Sequence, residues 1–138
     1  MNIFLDANIL VSVLNKEYPL YPHAARILSL SQSRKYTVFT SPLCLGIAFY
    51  FAEKKHKRSL AKSKIALLAE NISLTTIDEA IVRKALKHKA IEDFEDGMEY
   101  YSAIDSGCKC IITEDADDFY FSNIEIISAE KFELKYMK

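Results

Sequence analysis

Short apolar runs alternate with amphipathic stretches along this whole chain, and the alternation limits its fold more than any other feature. NIFL (2–5), YTVFTS (36–41), NISLTTI (about 72–77), CKCIIT (108–113) and IEIIS (124–128) are rich in β-branched and aromatic residues and read as strands. Between them the spacing is helical. Asp6 can cap a helix over about 7–15, and HAARILSLSQS reads as a helix ending near Arg34. Ser41-Pro42 opens another, SLAKSKIALLAE is amphipathic, and Asp78 is placed to cap DEAIVRKALKH. A helix over about 93–106 ends at Gly107, EDADDF reads as a loop, and AEKFELKYM closes the chain. Strand–helix alternation with short connections predicts an α/β fold: one domain over 1–138, with a mostly parallel sheet covered by helices on both faces.

Three cysteines are too few, and odd in number, for a disulfide framework, which points to a reducing compartment and a cytoplasmic protein. No apolar run approaches the roughly 20 residues that span a bilayer, so no membrane association is expected. MNIFLDANIL lacks the basic start of a signal peptide.

The formal net charge of −1 conceals a segregation. Residues 92–118 carry ten of the nineteen acids against a single base, Lys109, whereas EKKHKRSLAKSK (53–64) carries six bases and one acid. In open parallel sheets, ligands gather beyond the carboxyl ends of the strands. Asp6 directly follows the first strand, and Asp115 follows the strand ending at Thr113. Asp93 and Asp96 open the helix that runs back into that same strand, so they belong to the same rim. Carboxylates converging without bases repel one another unless a cation neutralises them. Oxygen donors with no Cys or His pattern suit Mg²⁺ or Mn²⁺ better than zinc. Such an ion is equipped for phosphodiester hydrolysis.

Plainer readings stand beside these. Asp93 three residues before Asp96 is also an ordinary capping arrangement, and Asp6 can be a cap alone. Glu114, Asp117 and Asp118 read as a solvated loop, and Cys108 and Cys110 as buried apolar residues. The basic run is a solvated helix face or, in the sharper reading, a clamp in which Lys54, Lys55, Lys57 and Arg58 meet RNA phosphates.

FLDANIL (4–10), DFEDGMEYYSA (93–103) and IITEDADDF (111–119) resemble, in order and spacing, the three acidic motifs of PIN domains, and the chain as a whole is similar to the VapC-like toxins of toxin–antitoxin pairs. The resemblance implies a three-layer α/β/α fold and a Mg²⁺- or Mn²⁺-dependent endoribonuclease that leaves a 5′-phosphate and a 3′-hydroxyl. It implies Asp6, Asp96 and Asp115 as catalytic metal carboxylates, Asn8 and Thr113 orienting them, and Asp93 and Asp118 in support. RNA substrate, a cognate antitoxin protein that blocks the groove, and a homodimer follow as partners.

One departure stands out. The family places a Glu about six residues beyond Ser41, where this chain has Gly46 and Ile47, and Glu53 lies nearly two helical turns further on. Three core acids are therefore expected rather than four, with Asp93 or Glu92 left to compensate. The alternative is a weak or inactive PIN-like module that binds RNA or protein without cleaving. An Asp-nucleophile phosphatase fits less well, because Asn8 stands where that chemistry needs a second acid.

Overall fold

A computed structural model of the chain describes residues 1–137. Five strands form one parallel sheet: β1 (Asn2–Leu5), β2 (Thr37–Thr40), β3 (Ser73–Leu74), β4 (Cys110–Ile112) and β5 (Glu125–Ile127), ordered β3-β2-β1-β4-β5. Seven helices connect and flank them: α1 (Ala7–Asn15), α2 (Leu20–Leu28), α3 (Pro42–Lys55), α4 (Arg58–Asn71), α5 (Glu79–Lys87), α6 (Phe94–Asp105) and α7 (Ala129–Tyr136). The chain winds from β1 out to β3, then returns to place β4 on the far side of β1. Right-handed crossovers put the helices of these two windings on opposite faces of the sheet. α1 packs between α2 and α3, α4 packs on α3, α7 joins them through α2, and α5 and α6 pack as a pair. The expected three-layer α/β/α architecture is present.

Central strands covered on both faces must be apolar throughout. Ile3, Phe4 and Leu5 of β1 and Cys110, Ile111 and Ile112 of β4 are all fully buried. Helix ends follow local chemistry. Asp6, Ser41, Asp78, Asp93 and Ser128 each accept a backbone N–H at the start of α1, α3, α5, α6 and α7. Gly107 takes the left-handed conformation (φ 72°) just beyond α6, as expected. At Gly97 a Cβ would sit 3.0 Å from Ala85 Cβ and from Ile91 Cγ2, so a bare α-carbon lets α6 lie close against α5.

Three elements differ from the sequence reading. The strand expected over about 72–77 shrinks to two residues. β3 is an edge strand with β2 alone as neighbour, α4 runs through to Asn71, and Thr75 turns inward, its hydroxyl 3.1 Å from Ser102 Oγ of α6. α2 starts at Leu20 rather than His23, because Pro22 fits a first turn whose N–H groups need no partner. It gives way at Ser29 to a 3-10 turn. Part of the EDADDF loop is likewise a 3-10 turn, Ala116–Phe119. Among the described residues no helix is long and apolar enough to cross a membrane.

Candidate active site

The strand register builds the site. Leu5 pairs with Ile112, so the next residues, Asp6 and Thr113, stand abreast at the carboxyl end of the sheet. The backbone agrees: Asp6 N donates to Ile112 O at 3.0 Å. This is where the strand order reverses between β1 and β4, the crevice in which open α/β sheets bind ligands. Thr113 Oγ1 donates to Asp6 Oδ2 at 2.8 Å, and Ala7 N donates to Asp6 Oδ1 at 2.7 Å. Asn8 ties the β4 loop down. Its amide donates to Thr113 Oγ1 and to Asp115 Oδ2, both at 3.1 Å, and its Oδ1 accepts from Glu114 N at 3.3 Å. Asp115 N donates to Thr113 Oγ1 at 3.0 Å. Asp6, Asn8, Thr113 and Asp115 are thus one hydrogen-bonded unit.

Helix α6 supplies the opposite wall. Asp93 caps it, with Oδ1 accepting from Asp96 N at 3.1 Å, so the capping reading of Asp93 holds while the residue also faces the site. Asp6, Asp93, Asp96, Asp115 and Asp118 line one open cleft of about 500 Å³. The sequence placed Asp6, Asp93, Asp96 and Asp115 on a common rim, and all four line this cleft, joined by Asp118 of the loop. Among the described residues, however, the one group of three or more donors within 4.8 Å of one another is Asp6, Cys44 and Glu99, without Asp96 or Asp115. Nine carboxylates and no Lys, Arg or His line that cleft. Burial, reinforced by Asp93, Asp6, Asp118 and Glu95, pushes the Asp96 carboxyl up to about 7. Burial also raises Asp6, against the hydrogen bonds from Thr113 and Ala7 that favour its charged form.

Two residues at the cleft floor escaped the sequence reading. Glu99, three residues after Asp96 and so on the same helix face, is only 2% exposed, yet it lines the cleft. Burial foremost, with the Asp6 carboxylate next, pushes it up to about 10. Cys44 Sγ donates to Glu99 Oε1 at 3.0 Å and lies 3.9 Å from Asp6 Oδ1. The sequence reading expected three core acids and left Asp93 or Glu92 to compensate; the structure adds Glu99, a further buried acid lining the same cleft. The premise of no nearby Cys is corrected. The helical period carried the signal for Glu99. For Cys44 it lay in the pairing of Phe4 with Phe39, which carries Ser41 abreast of Asp6 and the first turn of α3 behind it.

The α3 wall matches the sequence reading of the missing acid. Ile47 faces the cleft, a Cβ on Gly46 would meet open space, and Glu53 pairs with Arg58 (3.0 Å) instead. The basic run begins one turn beyond the cleft-lining Phe51. Lys54 Nζ lies 4.2 Å from the Tyr50 ring centre, and Lys57 is exposed. Lys55 Nζ donates to Asn15 O at 2.6 Å, which satisfies a free carbonyl at the end of α1. Glu114 accepts from Ala129 N at the start of α7, and Cys108 and Cys110 are buried as expected.

Comparison with known proteins places this geometry. Residues 2–117 match the family model described as PIN domain. The chain is 25% identical over 134 residues to ribonuclease VapC1 of Aquifex aeolicus, covering 94% of this chain and 92% of that protein. Its fold resembles VapBC2 from Rickettsia felis, solved bound to a DNA fragment from the promoter, with TM-score 0.69, 18% identity, and 93% and 98% of the two chains covered. It also resembles Mycobacterium tuberculosis VapC20, a toxin that cleaves the sarcin–ricin loop, with TM-score 0.69, 19% identity, and coverage of 89% and 97%. The match spans β1 to β4 and every cleft-lining residue except Asp118: this chain belongs to the PIN domain family.

Proposed function

We propose that the chain is a metal-dependent endoribonuclease of the VapC type, acting as the toxin of a toxin–antitoxin pair. The observation that carries this reading is that Asp6, Asp96 and Asp115 line one cleft and that, among the described residues, nine carboxylates and no base line it. The donor set fits a divalent cation: carboxyls pushed toward neutrality by burial and by one another regain full charge once a cation arrives. When bound, Mg²⁺ or Mn²⁺ would activate a water and offset charge on the phosphate.

The chain's own residues do the rest. Asp6, Asp96 and Asp115 would hold the ion; Thr113 and Asn8 fix the direction of the Asp6 and Asp115 oxygens; Asp93 holds the first turn of α6 in place. Lys54, Lys57 and Arg58, with Lys55 already partly engaged, supply positive charge beside an otherwise repulsive cleft. RNA phosphates would meet them there, and cleavage would leave 5′-phosphate and 3′-hydroxyl ends. A cytoplasmic setting fits the three free cysteines. The similarity to VapBC proteins supports a cognate antitoxin as partner, and a homodimer belongs to the same reading.

Incubating RNA with the protein and Mn²⁺ tests the activity, with Asp96→Asn beside it. Cleavage by the native chain alone supports the reading, and equal cleavage by both removes Asp96 from the chemistry. Ile47 in the cleft wall favours a second reading, a weak or non-cleaving binding module. Absence of any Mn²⁺ heat in calorimetry on the folded protein would select that one.

A further inference from the structure

Glu99 is the anomaly of the cleft. Its Oε1 accepts from the Cys44 thiol, its carboxyl proton can be shared with the neighbouring Asp6 carboxylate, and its buried Oε2 has no partner at hydrogen-bond geometry among the described residues. A carboxyl almost wholly shielded from water yet left half unpaired demands an explanation, since buried polar groups are ordinarily satisfied. Cys44 is fully buried behind it, in the first turn of the fourteen-residue α3, with its backbone N–H on Ser41 Oγ at 3.0 Å. A helix N-terminus favours negative charge on that sulfur when a counter-charge is present. Asp6, Cys44 and Glu99 each offer one donor atom within 4.8 Å of the others. Two neighbouring ligands of one ion, each about 2.0 to 2.3 Å from it, lie about 3.0 to 3.5 Å apart as the coordination number falls from six to four. The sulfur-to-oxygen distances of 3.0 and 3.9 Å bracket that separation.

Resting on the reading that the cleft holds a divalent ion, we infer that Glu99 and Cys44 complete its site from below: Glu99 replaces the acid absent at Ile47, and the Cys44 sulfur selects a borderline-soft ion of the cobalt or zinc type over magnesium. Three oxygen donors at the rim alone would suit a hard ion. A thiolate added to carboxylates shifts the choice toward softer metals. Entry is open, because Asp6 and Glu99 both line the cleft. On binding an ion, Glu99 and Cys44 would each give up a proton to solvent and direct a lone pair at it.

Titrating the metal-free full chain with Co²⁺, followed by absorbance, tests this. The expected result is saturation at one ion per chain, with a sulfur-to-cobalt charge-transfer band in the near ultraviolet. That band should vanish in Cys44→Ser. Co²⁺ affinity should drop by about tenfold or more in Glu99→Gln, while Mg²⁺ affinity changes little in Cys44→Ser. Both replacements are close in shape to the neutral side chains, and far-ultraviolet circular dichroism checks that they fold. Co²⁺ binding with no such band, or affinity unchanged in Glu99→Gln, overturns the inference. If Co²⁺ binding is then still lost in Asp96→Asn, the metal-nuclease reading survives without it. No Co²⁺ or Mn²⁺ binding by the native chain overturns both.

Discussion

On the β4 wall of the cleft, Asp6 and Asp115 are held by Thr113, Asn8 and backbone N–H groups, with distances between 2.7 and 3.1 Å. On the α6 wall, Asp96 and Glu99 face the same space with far fewer partners. Asp96 gains no hydrogen bond that offsets its burial, and Glu99 has a thiol on one oxygen only. One wall is a finished network that fixes geometry before anything binds. The other holds carboxyls whose charged form the protein does not stabilise, so they keep protons that a cation would displace. Preorganised ligands lower the cost of binding, and unneutralised ones supply its driving force. A cation between the walls would use both.

Removing charge from the α6 wall should therefore separate function from stability. Asp96→Asn is expected to reduce RNA cleavage by about 10³-fold, the equivalent of the several kcal/mol of charge stabilisation a lost ligand forfeits. In chelator the same variant should be more stable than the native chain. Asp96 titrates near 7 in the fold and near 3.8 when unfolded, so between those values the folded state binds more protons. The native chain then loses stability as pH rises through that window. Discounted for a half-exposed side chain, the gain at pH 8 is about 1 kcal/mol, or roughly 2–5 °C in Tm, and it shrinks toward pH 4. Thermal melts at both pH values measure it. A variant less stable than native at pH 8 would mean that the α6 wall is not strained by its charge.

The same contrast sets what the sequence could reveal. Asp6, Asp96 and Asp115 were legible because a parallel sheet gathers strand ends and returning helix starts on one rim, and all three sit at such positions. Capping by Asp93 and Asp78 and the turn at Gly107 follow from two or three neighbouring residues, and they stand in the structure as read. Cys44 was hidden because its position depends on how β1 pairs with β2, thirty-odd residues apart in the chain. Glu99 was visible as a helix-face neighbour of Asp96, but nothing local says how deeply it is buried. β3 was overextended because its length is set by α4 and by the single neighbour of an edge strand, not by its own β-branched residues.

On the β4 wall the expected effect on function is smaller, and the effect on stability is of opposite sign. Asn8→Ala removes both donors and the acceptor that hold residues 113–115. It should cost about 1–2 kcal/mol in urea unfolding. It should also weaken Mn²⁺ binding by about tenfold in calorimetry, the usual effect of losing an orienting residue. Asp96→Asn and Asn8→Ala would then both impair metal binding while moving metal-free stability in opposite directions. If Asn8→Ala stabilised the metal-free chain, the two walls would not differ in kind.

The smallest effect is expected outside both walls, on the basic run, where the four residues are not equivalent. Lys54 and Lys57 are exposed with no carboxylate partner among the described residues, whereas Lys55 is bonded to Asn15 O and Arg58 to Glu53. Replacing Lys54 and Lys57 together by Ala should leave melting and Mn²⁺ affinity unchanged. It should weaken single-stranded RNA binding a few-fold at low salt and lower the dependence of log affinity on log salt by about 0.7 for each phosphate no longer neutralised. Lys55→Ala should instead cost about 1 kcal/mol of stability, because Asn15 O loses its donor at the end of α1. RNA titrations at two salt concentrations separate the cases. An unchanged salt slope in the double variant would mean that these lysines form a solvated helix face, and that the cleft draws RNA by some other positive surface.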